Sequence, residues 1–169
     1  MGNWPGDDVD LVTCLFTDKI YIEVEPAHGE FKTFSDSWNI SATTISLGYT
    51  HPIDDFIVDL RYRLYSQTKA EFYSDLFDRV NQFNFLGRDK ELSTFDSVSF
   101  GTTISYEIAK SGWWIFEKGS LNLSWDHIEF TYKDFRDVPA GRLLGSAPGT
   151  EPLFAFGADV IQLFVSLWY

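Results

Sequence analysis

The stretch FIVDLRYRLY, residues 56–65, places Asp59, Arg61 and Arg63 on one parity and Phe56, Val58, Leu60, Tyr62 and Leu64 on the other. Successive side chains of a strand point to opposite faces, so the three charges share a face. Such a face can line a pore and select solutes by charge. It can also be a neutralising network with Glu107 or Asp126 as partners, because charges withdrawn from bulk water need counter-charges. The network is the favoured reading. Ser124, Asp126 and His127 raise a hydrolase alternative. A serine triad needs three groups that hydrogen-bond in series. In a strand Ser124 and Asp126 would share one face and His127 the other, and no GxSxG occurs. No enzymatic activity is therefore expected. There is no HxxxH and no EF-hand loop. Asp75 with Asp78, or Asp134 with Asp137, remain the calcium candidates, and His28 and His51 read as loop and turn residues. Neither a cofactor nor a metal is expected.

A third constellation is GRDKELSTF, where Arg88, Asp89, Lys90 and Glu91 are consecutive charges leading into a strand. Paired with each other or with loop acids, they would pin the long loop that carries them. Ligand or ion capture there is the alternative.

The elements that hold these groups read as strands. The alternation predicts strands over about 37–50, 56–65, 96–108, 120–132 and 153–169, with a weaker one within 11–24. Residues 96–108 alternate most cleanly: Val98, Phe100, Thr102, Ile104, Tyr106 and Ile108 oppose a face of small polar residues. In 120–132 the apolar parity switches from Leu121, Leu123 and Trp125 to Ile128, Phe130 and Tyr132. A bulge near His127, or a strand end covered on both faces, would do this. The connections run short (51–55), long (66–94, with a helical turn around AEFYSDLFDRV), short (110–118), long (134–152, Gly- and Pro-rich). Tight turns alternating with larger loops are what transmembrane β-barrels show.

Composition narrows the class. The 169 residues carry a net charge of −12 and are 18% aromatic, with a mean hydropathy of −0.13. The acidic balance argues against nucleic acid. No stretch reaches the ~18 apolar residues of a spanning helix. Cys14 stands alone, which excludes an internal disulfide framework. The start, MGNWPGDDVD, lacks the basic and apolar runs of a signal peptide, so an exported form would be processed or a piece of something longer. The chain closes on VIQLFVSLWY, in which Ile161, Leu163, Val165, Leu167 and Tyr169 form one apolar parity.

That ending resembles the assembly signal of Gram-negative outer-membrane β-barrels, which finish on an aromatic residue preceded by alternate apolar positions. The blocks VDLRYRLYSQTKAEFYSDLF, GRDKELSTF, FTYKDFRD and FGADVIQLFVSLWY are together similar to a family of bacterial outer-membrane barrels catalogued as a domain of unknown function. The likeness covers about 37–169 and brings no activity with it.

The expectation is an all-β, antiparallel up-and-down meander forming part of a transmembrane β-barrel. Residues 31–169 would be its C-terminal portion and 1–30 an N-terminal segment with at most one strand. Five or six strands fall short of the roughly eight of a closed barrel, and open edges in lipid would leave backbone groups unpaired. The resemblance implies the bacterial outer membrane as location. The implied partners are the lipid bilayer and, through the last strand, the outer-membrane assembly machinery. Passive passage or binding of a small solute is the expected role, through a narrow or plugged lumen given Phe164 and Trp168 on the inner parity. Tyr49, Tyr62, Tyr106, Trp113, Trp114, Trp125 and Tyr169 are girdle candidates. The rivals are a soluble β-barrel carrying an apolar ligand, with these parities turned inward, and an outer-membrane enzyme.

Overall fold

A computed structural model describes residues 19–24, 26–77, 87–109 and 117–169. Seven strands form one antiparallel sheet in sequence order: β1 (Lys19–Val24), β2 (Ala27–Ser35), β3 (Ser41–Ile53), β4 (Phe56–Gln67), β5 (Phe95–Ala109), β6 (Lys118–Arg136) and β7 (Leu153–Trp168). The sheet is not closed among the described residues; β1 and β7 are its edges. Residues 19–30, set apart in the sequence reading, therefore carry β1 and the start of β2. His28 and His51 stand on β2 and β3, not in a loop and a turn. Trp113, Trp114, Cys14, Asp78 and most of AEFYSDLFDRV's second half lie outside the described residues.

Short connections gather at one end of the sheet. There Asp54 adopts a left-handed φ of 52° in the two-residue turn between β3 and β4, a conformation Asp tolerates better than most side chains. Long connections gather at the other end. The Gly- and Pro-rich loop holds a helix that its composition hid, α1 (Val138–Leu144). Asp137 caps its first turn by accepting the Ala140 amide, Pro139 sits in that turn, and Gly145 ends it at φ 69°. The buried apolar cluster also lies at this end: Ile40, Ala70 and Tyr73, flanked by Phe72, Leu92 and Phe135.

Register is continuous through the sheet interior. It shifts only beyond Glu107 on β5 and beyond Thr131 on β6, so no bulge lies at His127. Each parity thus becomes one face of the whole sheet. On β6 the two faces differ sharply: Leu123 is 47% exposed, while Asn122 and Ser124 are 6% and 4% exposed. Polar side chains sit inside and apolar ones outside, the reverse of a water-soluble sheet. The polar face is the inner side of a curl. Ile57, Ser105, Ser120, Asn122, Ser166 and Trp168, from four successive strands, line one cavity of about 890 Å³.

The outer apolar band is slanted across the strands. On β3 it comprises Ile45, Leu47, Tyr49 and Ile53; on β7 it runs from Ile161 to Leu167. Along the paired rows Ile45 leads through Leu64, Val98 and Glu129 to Gly157, and Tyr49 leads through Leu60, Thr102 and Trp125 to Ile161. Ile53 leads through Phe56, Tyr106 and Leu121 to Val165, so over four strand steps the band drops by four residues at its upper edge and by two at its lower edge. With a rise of ~3.3 Å and a strand spacing of ~4.8 Å, the strands lean from the normal to the band by roughly 20–35°.

Candidate functional site

The inner face carries one row that crosses five strands. His28 pairs with Gly48, Gly48 with Arg61, Arg61 with Gly101 and Gly101 with Asp126. Arg61 and Asp126 are separated by a whole strand, yet their side chains meet at 3.0 Å. Gly101 makes this possible, because a Cβ there would collide with the Asp126 carboxylate. Gly48 does the same for the His28 imidazole. Arg61 also donates to Thr103 Oγ1 at 2.8 Å and Ser124 Oγ at 3.2 Å. The Ser124 hydroxyl lies 3.0 Å from that of Thr103 and 3.3 Å from Asp126 Oδ2. The guanidinium fork thus has three partners, one of them the carboxylate, on a small-residue face.

The other charges on this parity are placed separately. Asp59 accepts the Thr50 hydroxyl at 2.6 Å. Arg63 lies 5.6 Å over the Tyr65 ring. Glu107 lines the larger cavity towards the turn end, beside Glu117 and Lys118. Of the five charges singled out in the sequence, Arg61 and Asp126 are brought together and Glu107 stands apart. The glycines that join them carry no sequence signal, since their meaning lies in the pairing. His127 occupies the outer face, where its Nδ1 lies 2.9 Å from Asp159 Oδ1, and Trp125 donates to the same oxygen at 3.1 Å. Ser124, Asp126 and His127 are therefore split between faces.

Above this row the inner face turns aromatic, which accounts for the parity switch on β6. Phe95 lies 5.5 Å from Tyr65 and 5.2 Å from Tyr132, and Phe130 stacks on Phe156 at 4.8 Å. The loop between β4 and β5 covers this cluster. Arg88 grips the buried Asp75 at 3.0 Å, and Arg136 holds the same carboxylate at 3.1 Å. Arg88 further donates to the Arg136 carbonyl at 3.1 Å and lies 4.7 Å over Phe135. Lys90 sits 5.6 Å over Phe156, Asp89 caps the short 3-10 turn Lys90–Leu92, and Gln67 donates to the Glu91 and Ser93 carbonyls at 2.8 and 2.9 Å. Asp89 is held below the usual carboxylate range, first by its hydrogen bond with the Glu91 side chain, and Glu91 is raised by the same contact.

Of the acids considered for calcium, Asp75, Asp134 and Asp137 lie among the described residues and are engaged elsewhere. Asp75 binds two arginines, Asp134 accepts the Thr94 amide at 2.8 Å, and Asp137 caps α1. Among the described residues no three His, Cys, Asp or Glu side chains converge as a metal centre would need.

The family described as "Protein of unknown function (DUF3570)" matches residues 12–118, more than half of the chain. The chain belongs to that family. The match takes in the GRDKELSTF block and begins well before residue 37, while the terminal ADVIQLFVSLWY block lies beyond it. No curated protein and no solved structure matches the chain.

Three outcomes follow. Gly101→Ala should cost about 1–3 kcal/mol by pushing Asp126 off Arg61, whereas Gly29→Ala, whose added methyl meets Leu47 at an ordinary 3.6 Å, should be tolerated; denaturant titration separates them. Asp75→Ala removes the shared anchor of Arg88 and Arg136 and should expose the loop to trypsin at Lys69 and Arg88. Burial, aided by Asp134 and Asp75, raises the Tyr73 phenol well above its ordinary value. The fold thus favours the neutral phenol: its contribution is full below about pH 10 and is lost as pH rises from there through the raised value. Loop proteolysis should increase over that alkaline window, and a Tyr73→Phe variant should lose this component.

Proposed function

We propose that this chain is part of an outer-membrane β-barrel whose apolar face meets lipid and whose polar inner face lines a narrow lumen for passage or binding of a small polar solute. The carrying observation is the inverted burial along β6, where Ser120, Asn122 and Ser124 are shielded while Leu121, Leu123 and Trp125 are exposed. A soluble carrier of an apolar ligand needs the opposite arrangement.

Three further features support the reading. The slant of the upper edge of the apolar band, roughly 35°, lies at the low end of the strand tilt of membrane barrels. Strands β3 to β7 have 12 to 19 residues, long enough to cross a bilayer at that tilt, where about 9–11 are needed. Trp125, His127 and Asp159 meet where the band gives way to polar residues, as an interfacial girdle does. The Arg61–Asp126 contact and the loop pinned by Arg88, Lys90 and Asp75 narrow the inner space, and the closing parity Ile161–Tyr169 suits recognition by the assembly machinery.

Membrane fractionation of the full-length protein, followed by electrophoresis in SDS with and without boiling, tests this. Outer-membrane location with a heat-dependent shift is the expected result; a soluble protein without one would overturn it. Leu123→Arg sharpens the test. In lipid below the interface it should destabilise by about 1 kcal/mol or more, short of the roughly 2–4 kcal/mol of the midplane, whereas at a water-exposed position the change should stay within about 0.5 kcal/mol.

A further inference from the structure

We infer that the inner face holds a subsite for a small oxyanion, a carboxylate or phosphate group, centred on Arg63. The inference names the solute class and so rests on the barrel reading. In the pairing, Arg63 lies between Ser46 on β3 and Ser99 on β5. A guanidinium fork flanked in its own row by two hydroxyls presents the donor pattern that oxyanions take.

Arg63 and Arg61 line one cavity of about 260 Å³ together with Ser46, Ser99, His28 and Asp126. The carboxylates near it are committed. Asp126 is paired with Arg61, Asp59 accepts from Thr50, and Glu30, next along the Arg63 row, pairs with Lys19 at 3.2 Å. Among the described residues Arg63 has no ion pair in the salt bridges of this face; its guanidinium rests over Tyr65. The cavity thus holds two guanidinium groups against one carboxylate, on a chain whose net charge is −12. That local excess of positive charge draws an anion to this point. Both arginines are exposed to the cavity, so the site is wet and its binding weak, as a site on a passage route requires.

The test is calorimetric titration of the full-length protein, folded in detergent, with inorganic phosphate and with acetate at constant ionic strength. Binding that weakens at least ~10-fold in Arg63→Gln, weakens partly in Arg63→Lys, and is unchanged in Lys133→Gln, whose lysine pairs with Asp96 at 2.7 Å on the other face, is the expected result. Equal binding by Arg63→Gln and the parent, or none by the parent, overturns the subsite. The heat-dependent shift is measured on every variant. If it persists while binding is absent, the subsite alone fails; if the parent lacks the shift, the barrel reading fails.

Discussion

The structure depends on unbroken register. From β2 to β7 every pair keeps step through the sheet interior, shifting only beyond Glu107 and beyond Thr131, so there a residue's parity in the sequence fixes its face on the sheet. A slip of one residue in any pair would carry a row of Leu, Ile and Phe to the polar side and a row of Ser, Thr and Arg to the apolar side. The two faces are so different that neither exchange is tolerable. This chemical contrast selects the register, and the register in turn aligns the rows on which every inner contact is built.

The Arg61–Asp126 contact shows how such a row works. Two long charged side chains on adjacent strands would crowd each other; here they are spaced by a glycine strand neighbour, and the guanidinium bridges above it. Hydroxyls of Thr103 and Ser124 accept further hydrogen bonds from it. Small residues thus create both the space and the polarity that let charge sit inside. Toward the loop end the requirement changes, because the inner face is covered by the chain's own long connection. There the inner parity becomes Phe and Tyr, and charge moves to the loop, where Asp75 ties Arg88 to Arg136.

Much of the sheet was legible from alternation, and the reasons for the exceptions are physical. β4, β5 and β7 alternate over ten residues or more because two different surroundings act on their two faces. β2, AHGEFKTFS, shows little contrast: its outer parity offers Gly29, Phe31 and Thr33, too weak an apolar signal to announce a strand. The switch in β6 invited a bulge, yet the strand runs straight; its surroundings change along its length, from a small-residue interior at Ser124 to an aromatic one at Phe130. Helix α1 was obscured by glycine and proline, although Asp137 and Pro139 at its start and Gly145 at its end form a terminal signature. Among the site residues, the charges on β4 were conspicuous, but which of them meets Asp126 was not. That depends on which glycine stands opposite, which only pairing reveals.

The central claim is that the apolar face of this sheet is wetted by lipid. The most direct measurement replaces Cys14 by serine and places single nitroxide labels at residues 120 to 125 of the full-length protein in lipid vesicles. Accessibility to oxygen and to a water-soluble nickel complex is then compared at each site. The account predicts a period of two, with oxygen favoured at 121, 123 and 125 and the nickel complex relatively favoured at 120, 122 and 124. Alternation in the opposite sense, or an outer face fully open to the nickel complex, would contradict it.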